Sequence, residues 1–338
     1  MSKILVTGGA GYIGSHTCVE LLNDGYEIIV LDNLGNSSEE PLKRVQEITG
    51  KILEFVKGDI RDHQLLNSLF SNNEISSVIH FAGLKSVEES ISIPLAYYDN
   101  NVHGTLVLLE AMKQANIKTL VFSSSATVYG DPAILPIRED FPTSATNPYG
   151  RSKLMIEEIL QDLHGSDNNW RIALLRYFNP VGAHPSGRIG EAPNDTPNNL
   201  MPYISQVAIG KLEKLSVFGN NYPTHDGTAI RDYIHVVDLS VGHIRAIEKL
   251  QKTTGIHTWN LGVGKGYSVL EMIAAFEKTS KQTVPYQIAP RRSGDVAACY
   301  SNPEKALNEL GWKAEKGVED MVSDSWRWQS ANPNGYRS

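Results

Sequence analysis

The chain has 338 residues, of which 41% are hydrophobic and 20% charged, a composition typical of a globular protein with one large domain and a smaller one. The net charge of -7 gives no general attraction for nucleic acid or anionic lipid, and no apolar run approaches the roughly 18 residues of a membrane helix, so we expect neither as a partner. Cys18 and Cys299 lie far apart, and residues 1–14 lack a secretory signal pattern, which together predict a cytoplasmic location.

The first half alternates short apolar runs, rich in β-branched residues, with amphipathic stretches of helix length. We predict strands at 3–7, 27–31, 52–56, 77–81, 119–123 and 171–175. Near-continuous apolar strands separated by helices are typical of a parallel sheet covered on both faces. The predicted fold class is therefore α/β, a doubly wound parallel sheet (Rossmann fold) with a smaller C-terminal α/β substrate-binding domain.

The rhythm changes after Arg176, where residues 178–202 are rich in Pro, Gly and Asn. Such a stretch favours loops, and we interpret it as a cover for a ligand and the start of the second domain. Beyond it we predict helices at 235–250, at 269–279 and around Trp326, with short strands at 259–262 and 284–288. The predicted domains are 1–176, with some later segments returning to it, and 177–338.

A glycine motif follows the first strand directly. Residues 7–14 read TGGAGYIG, a TGxxGxxG pattern that leads into a helix. Its members Gly8, Gly11 and Gly14 permit a tight turn in which backbone N–H groups approach a pyrophosphate at the helix N-terminus. Asp32 ends the second strand, where a carboxylate accepts hydrogen bonds from ribose hydroxyls and repels a 2′-phosphate. The pair predicts NAD rather than NADP as cofactor, although both features also occur in ordinary turns.

Two further groups follow predicted strands. Asp59 comes after the third strand, and the segment Phe81, Ala82, Gly83, Leu84 and Lys85 comes after the fourth. Ligands of doubly wound sheets bind at the carboxyl ends of the strands. We therefore expect these residues to outline the adenine and nicotinamide sides of one crevice.

Tyr149 and Lys153 form a YxxxK pair at the start of a predicted helix that runs to about residue 163. At positions i and i+4 both side chains share one helix face. A tyrosine with a pKa near 10 is a weak base at neutral pH, but an ammonium and a nicotinamide cation at about 6 Å would each favour the phenolate by roughly 2 to 3 kcal/mol. We expect both to lower the pKa of Tyr149 toward neutral. The alternative is that Tyr149 and Lys153 are an ordinary pair on a helix surface. The presence of the glycine motif in the same chain favours the catalytic interpretation.

The fifth strand ends in Ser123, Ser124 and Ser125. A hydroxyl there can bond the reacting oxygen beside Tyr149 and share the proton transfer. The pattern alone does not decide which serine points inward.

The chain resembles the extended short-chain dehydrogenase/reductase family and, closely and over nearly its whole length, the branch of that family that epimerises UDP-glucose and UDP-galactose. The strings that carry the resemblance are TGGAGYIGSHT, HFAGLKSVEES, YYDNN, FSSSATVYG, NPYGRSK, LRYFNPVGAHPSG, PNNLMPYI and RDYIHVVDL. The resemblance implies that residues 1–176 form an NAD-binding domain and 177–338 mainly a UDP-sugar-binding domain. It also implies a homodimer in which two helices of each subunit form the contact.

The resemblance also assigns site residues. It implies an NAD site lined by Tyr12, Ile13, Asp32, Asn33, Asp59, Ile60, Phe81, Ala82, Gly83, Leu84, Lys85, Asn100, Lys153 and Phe178. Ser125 and Tyr149 are expected to contact both the cofactor and the sugar and to act on the sugar. It implies UDP-sugar contacts from Asn179, Asn199, Leu200, Val217, Phe218, Arg231, Tyr233, Arg292 and Asp295. Arginine forks suit a diphosphate, though on their own both arginines would pass for surface charges.

Cys299 departs from the commonest bacterial form of the family, which often has a tyrosine there to close the pocket behind the sugar. The smaller side chain leaves room beyond C2 of the sugar. Our hypothesis is that N-acetylated UDP-hexoses are also accepted. The alternative interpretation is a cysteine that fills a gap in the packing.

The expected function is epimerisation at C4 of a UDP-hexose. NAD takes the hydrogen from C4, the tethered 4-keto sugar turns over, and the hydrogen returns to the other face while NAD stays bound. A 4,6-dehydratase would need an acidic pair after the serines, where Ala126 and Thr127 stand. A UDP-hexuronate or UDP-pentose 4-epimerase and a non-catalytic NAD-responsive binding protein remain as alternatives.

Two further features have simple interpretations. The ten histidines show no metal-ligand spacing, so we expect no metal. We expect the aromatic cluster Trp326, Trp328 and Tyr336 to pack a final helix rather than to line a ligand site.

Overall fold

The computed structural model describes residues 3–193, 197, 199–292 and 294–337. Its strands are β1 (Lys3–Thr7), β2 (Ile28–Asp32), β3 (Glu54–Lys57), β4 (Ile75–His80), β5 (Thr119–Ser123), β6 (Arg171–Tyr177), β7 (Asn179–Val181), β8 (Leu215–Phe218), β9 (Ile230–His235), β10 (Gly255–Leu261), β11 (Gly266–Ser268), β12 (Tyr286–Ala289) and β13 (Ala298–Cys299).

The helices are α1 (Tyr12–Asn23), α2 (Glu40–Thr49), α3 (His63–Asn72), α4 (Val87–Ser92), α5 (Pro94–Tyr97), α6 (Gly104–Gln114), α7 (Pro148–Ser166), α8 (Leu200–Ala208), α9 (Val236–Leu250), α10 (Val269–Ser280), α11 (Glu304–Leu310) and α12 (Val318–Ala331). A π-helical turn at Tyr98–His103 joins α5 to α6, and a 3-10 helix occupies Ala126–Tyr129. Among the residues described, none of the helices combines the length and the apolar character that crossing a membrane requires.

Seven parallel strands form the main sheet, in the order β10-β6-β5-β4-β1-β2-β3. Alternate residues of each strand point to opposite faces. Ile4 and Val6 of β1 pack into one core with α1 and α9, whereas Leu5 packs into a second core with α3, α6 and α7. Both faces are therefore covered, and the predicted doubly wound α/β fold is confirmed.

Smaller sheets form the rest of the molecule. Strand β9 pairs with β7, β11 and β13, and β8 pairs with β12. A separate hydrophobic core holds these strands against α8, α10 and α12, with Met201, Phe276 and Met321 at its centre.

The sequence-based element boundaries need small corrections. Strands β2 and β3 begin one and two residues later than predicted, β4 begins two residues earlier, and β6 continues to Tyr177. The strand predicted at 259–262 begins at Gly255 and belongs to the main sheet beside β6. The strand predicted at 284–288 lies at Tyr286–Ala289. The short strands β7, β11 and β13 have two or three residues each, too few for a periodic pattern to show.

Candidate active site

A cavity of about 730 Å³ lies at the carboxyl ends of β1, β2 and β4, a volume within the usual range for small-molecule sites. It is lined by most of the residues expected to bind NAD, namely Gly8, Gly11, Tyr12, Ile13, Gly14, Asp32, Asn33, Ile60, Phe81, Ala82, Gly83, Leu84, Lys85, Asn100, Tyr149 and Lys153. Of the residues expected at the UDP-sugar, Asn199 and Tyr149 also line it. Strand ends far apart in sequence therefore meet at one cavity.

The glycine loop leaves the N-terminus of α1 open to this cavity. Helix α1 begins at Tyr12, with Gly11 in the position before it. A Cβ on Gly14 would lie 2.3 Å from the carbonyl oxygen of Gly8, so the loop packs against the helix as no larger residue would allow. Backbone N–H groups at a helix N-terminus are suited to a pyrophosphate. This part of the cavity fits a dinucleotide.

Asp32 stands where β2 ends, and it is held in place by its own hydrogen bonds. Its Oδ2 accepts from the backbone N–H of Ala10 at 3.0 Å, and its Oδ1 accepts from the N–H of Leu34 at 2.8 Å and from the hydroxyl of Ser37 at 3.0 Å. A carboxylate offers about four acceptor sites, so a ribose hydroxyl still finds one.

Three residues expected at the NAD site lie outside the lining of the cavity. Asp59 accepts hydrogen bonds from Arg61 and from the amide of Asn33, and these contacts hold the pKa of its carboxyl well below the usual value. Phe178 is buried in a small apolar cluster with Val128 and Tyr129. Ser125 is the third, and its hydroxyl forms a hydrogen bond with the side chain of Tyr149.

Tyr149 and Lys153 lie on the buried face of α7. Asn147 caps this helix by accepting from the N–H of Gly150 at 2.8 Å, and Pro148 occupies the first turn, so both groups are positioned by local sequence. The ammonium of Lys153 donates to the carbonyl of Ser123 at 2.9 Å. Burial lowers the pKa of Lys153 to about 8, and Glu157 one turn along opposes that change.

Tyr149 is buried, and burial raises its pKa, while its hydrogen bond with Ser125 opposes the rise. In the protein alone, desolvation outweighs the Ser125 hydrogen bond, and the expectation that Lys153 and a nicotinamide cation together lower this pKa toward neutral stays a prediction. A further positive charge at the site would be needed to favour the phenolate.

The three consecutive serines have different partners. Ser123 donates to the hydroxyl of Tyr177 at 3.2 Å, and the hydroxyl of Ser124 donates to Glu157 at 2.6 Å. Only Ser125 of the three meets Tyr149. The structure thus decides which serine faces the tyrosine, a question that the sequence pattern left open.

A buried ion pair connects α7 to strand β6 of the main sheet. Arg176 of β6 donates to Glu157 of α7 at 2.6 Å, with side chains that are 7% and 0% exposed, and Arg176 also donates to the hydroxyl of Tyr129 at 3.0 Å. The pair ties the helix that carries Tyr149 and Lys153 to the central sheet. Neither residue belonged to the sequence-based site, because their pairing depends on contacts distant in sequence.

Most residues expected at the UDP-sugar form a second group around β9 and β13. The guanidinium of Arg292 lies 4.8 Å from the ring centre of Phe218 and donates to Asp295 at 3.0 Å, while Arg231 lies 3.8 Å from Asp295. Burial raises the pKa of Tyr233 to about 12, and the two arginines oppose that rise. Cys299 pairs with Arg231 across β13 and β9.

The remaining predicted UDP-sugar residues are placed less directly. Val217 is buried in the core of the smaller sheets and offers its backbone only. Asn179 begins β7, and Leu200 begins α8. The amide of Asn199 donates to Glu191 at 2.7 Å, at the edge of the cavity.

Several residues that the sequence analysis missed line the cavity, among them Tyr177, Glu191, Asn334 and Tyr336. Tyr177 ends a parallel strand, so the rule applied to the other strand ends would have found it. Tyr336 packs against Trp328 of the final helix, as expected, and it also lines the cavity. Residues 194–196 and 198 of the Pro, Gly and Asn-rich stretch lie outside the described residues.

Comparison with known proteins relates the whole chain to one group of enzymes. The model of the GDP-mannose 4,6 dehydratase family matches residues 5–325. UDP-glucose 4-epimerase of Bacillus subtilis is 66% identical over 335 residues, covering 99% of each chain. The enzyme of the same name from Haemophilus influenzae is 61% identical over 335 residues, again with 99% of each chain covered.

A solved structure gives the same result. The crystal structure of UDP-glucose 4-epimerase from Bifidobacterium longum in complex with NAD+ and UDP is 55% identical. It superposes with a TM-score of 0.96 and covers 99% of this chain and 100% of its own.

Proposed function

Since the chain belongs to the UDP-glucose 4-epimerases of the extended short-chain dehydrogenase/reductase family, we propose that its two groups of site residues carry out NAD-dependent epimerisation at C4 of a UDP-hexose. The enzyme interconverts UDP-glucose and UDP-galactose. The observation that best supports the catalytic assignment is the buried contact between Ser125 and Tyr149, with Lys153 one helical turn away.

NAD occupies the cavity at the strand ends in this proposal. The glycine loop with the α1 N-terminus holds the pyrophosphate, and Asp32 accepts from a ribose hydroxyl. The cofactor, when bound, supplies the reversible removal and return of the hydrogen at sugar C4. Residues 1–176 with β10 would form the NAD-binding domain and most of residues 177–338 the UDP-sugar-binding domain.

Tyr149 removes and returns the proton of the sugar 4-hydroxyl. Its pKa is raised by burial in the protein alone, so the phenolate depends on positive charge brought to the site and on the Ser125 hydroxyl, which donates to the oxygen that carries the charge. Lys153 is anchored to the carbonyl of Ser123, which fixes its ammonium near the reacting groups. The same three side chains act in both halves of the reaction.

The nucleotide diphosphate serves as a tether. Arg231 and Arg292 offer donors to the diphosphate, and Phe218 and Tyr233 provide flat surfaces for the base. In this arrangement Arg292 exchanges part of its contact with Asp295 for the ligand. A substrate held by its diphosphate end leaves the 4-keto sugar free to turn, so the hydrogen can return to the opposite face.

Tyr149→Phe tests the assignment of the base. The variant keeps the ring and should retain NAD, yet lose most of its turnover of UDP-galactose, because it lacks the hydroxyl assigned to accept the proton from the 4-hydroxyl. Tyr286→Phe removes a hydroxyl from an exposed tyrosine of β12 and serves as the matched control. Near-normal turnover of Tyr149→Phe would refute this role. Deuterium at C4 of the substrate should appear at C4 of the product.

Related reactions are separated by their rates. A 4,6-dehydratase requires an acidic pair after the serines, and here the Thr127 hydroxyl donates to Ser125 at 2.9 Å while Ala126 is apolar. Initial rates with UDP-galactose, a UDP-hexuronate and a UDP-pentose distinguish the epimerases that differ around C6. We expect UDP-galactose to be converted fastest.

We further propose that N-acetylated UDP-hexoses are substrates, on the basis of Cys299. Its small side chain stands beside Arg231 and packs partly against the apolar cluster that contains Phe178. Cys299→Tyr should lower kcat/KM for UDP-N-acetylglucosamine roughly tenfold or more, with a much smaller effect on UDP-glucose, since the ring fills the space beyond C2. Equal failure of both enzymes on the acetylated sugar would remove the proposal.

A homodimer through α6 and α7 is proposed as the assembled state. The side chains of Leu106 on α6 and Met155 on α7 are 41% and 40% exposed, and that of Leu95 on α5 is 81% exposed. Leu106→Glu should shift the sedimentation coefficient toward a monomer, whereas Ile52→Glu at another exposed apolar side chain should not. A dimer unaffected by Leu106→Glu would exclude this surface.

The two free thiols support a reducing, cytoplasmic location.

A further inference from the structure

Residues 187–193 run alongside the cofactor cavity. Gly190, Glu191, Ala192 and Pro193 line the cavity, so the inner side of this segment faces any ligand there. Glu191 contacts Lys85 from the opposite wall, with 3.3 Å between Nζ and Oε1. The segment therefore bridges two sides of the site.

Arg44 of α2 holds the outer side of the segment. Its guanidinium donates to the carbonyl of Arg188 at 3.0 Å and to the side chain of Asn332 at 2.7 Å. It also lies 5.8 Å from the ring centre of Trp328 and 5.2 Å from that of Tyr336. One arginine thus joins the nucleotide-binding region, this segment and the residues after α12.

Tyr336 binds the same segment through a hydroxyl that both donates and accepts a hydrogen bond. Its hydroxyl accepts from the N–H of Gly190 and donates to the carbonyl of Gly190, each at 3.0 Å. Burial raises the pKa of this hydroxyl above its usual value, so it stays protonated and able to donate. A buried backbone group that loses its partner is costly, which makes these two bonds hard to replace.

Trp328 completes the contact. Its indole N–H donates to the carbonyl of Glu191 at 3.1 Å, and its ring packs against that of Tyr336, with 4.8 Å between the ring centres and 46° between the ring planes. A Cβ on Gly190 would lie 2.4 Å from the Trp328 ring, so the segment and the helix touch at the shortest distance that glycine allows. The backbone of residues 187–191 is held at several points by side chains from two distant parts of the chain.

We propose that Arg44, Trp328 and Tyr336 form a clasp that holds residues 187–193 alongside the cavity and thereby retains NAD through turnover. The proposal rests on the proposed function, because that function requires the cofactor to remain bound while the sugar turns. The clasp acts through the lining segment and takes no part in the proton transfer assigned to Tyr149. Its removal should speed the release of NAD, and turnover should then depend on added NAD.

The test measures NAD release directly from purified, NAD-loaded enzyme. Released NAD is reduced by an excess of an unrelated NAD-dependent dehydrogenase with its substrate, and absorbance gives the release rate without any UDP-sugar. Tyr336→Phe keeps the ring beside Arg44 and Trp328 but loses both bonds to Gly190. Arg44→Met keeps a long apolar side chain and loses the cationic contacts. Tyr286→Phe, on an exposed strand, is the matched control.

We expect release from Tyr336→Phe and Arg44→Met to be roughly tenfold faster or more. Tyr336→Phe loses two hydrogen bonds to Gly190, and Arg44→Met loses one to the carbonyl of Arg188 and one to the side chain of Asn332. Turnover by these variants should rise when NAD is added in excess, whereas the control should show no such dependence. Release rates within about twofold of the control would overturn the proposal. If Arg44→Met does not fold, Tyr336→Phe, which lacks a single oxygen atom, decides. NAD release is measured without UDP-sugar, so its result does not depend on the outcome of the Tyr149→Phe test. The failure of the clasp proposal can therefore be distinguished from the failure of the proposed function.

Discussion

Replacement of Lys153 by methionine should make the NAD-free protein more stable while it removes activity. Lys153 is 5% exposed, and burial lowers its pKa from 10.5 to about 8. Each unit by which the pKa is lowered corresponds to about 1.4 kcal/mol, so burying the charged side chain costs the native state about 3 kcal/mol at neutral pH. Methionine has a similar length and no charge. Loss of the hydrogen bond to the Ser123 carbonyl offsets about 1 kcal/mol, which leaves a gain of about 2 kcal/mol.

The pH dependence provides the sharper test of this reasoning. Below pH 8 the lysine is charged in both states, and the cost of burying the charge is fully present. Between pH 8 and 10.5 the unfolded chain binds the proton that the native protein has lost, so the stability of the wild type rises with pH. The advantage of Lys153→Met should therefore be greatest below pH 8 and should shrink as the pH rises to 10.5.

The measurement is denaturant-induced unfolding of NAD-free protein, followed by tryptophan fluorescence at several pH values. Lys252→Met, at an exposed position, is the control and should change the free energy of unfolding by less than about 0.5 kcal/mol. A Lys153→Met protein that is no more stable than the wild type at pH 7, or whose advantage does not vary with pH, would refute the argument. The expected gain with lost activity would mark Lys153 as a residue kept for function at a cost in stability.

Three further changes have defined expected outcomes. Ser125→Ala should reduce kcat by about a hundredfold and move the acidic limb of the pH profile to higher pH, because the hydrogen bond that opposes the raised pKa of Tyr149 is lost and the phenolate then forms only at higher pH; an unchanged profile would contradict this. Arg176→Met should lower the free energy of unfolding by about 3 to 5 kcal/mol by leaving Glu157 buried without its cation, and a loss under 1 kcal/mol would show that the pair contributes little. Gly14→Ala places a methyl group 2.3 Å from a backbone oxygen, so NAD content after purification should fall sharply, and full occupancy would disprove the close packing.

Much of the catalytic site could be predicted because its signals are local. The glycine motif, the Asp32 position and the YxxxK pair each depend on spacing within one strand, turn or helix. Their common location followed from a general rule about the carboxyl ends of parallel strands. The structure brings these elements to one cavity, while their roles stay predictions that the variants above test.

Other features depended on contacts between distant segments. The sequence could not show which serine meets Tyr149, because each hydroxyl has a different partner: Ser123 bonds Tyr177 of β6, Ser124 bonds Glu157 of α7, and Ser125 bonds Tyr149 of the same helix. The rise in the Tyr149 pKa in the NAD-free protein could not be read from the sequence either, since desolvation is a property of the packed fold and not of the residue's neighbours in sequence.

The sequence by itself determined the fold class, the cofactor type and the helix that carries the YxxxK pair, because hydrophobic period and short-range spacing specify local backbone geometry. Tertiary structure alone decided that β10 joins the main sheet, that Arg176 meets Glu157, and that Tyr336 reaches Gly190 across 146 positions of the chain. The physical reason is that such contacts arise from packing of complete elements, and the residues involved show no periodic pattern that would mark them in advance.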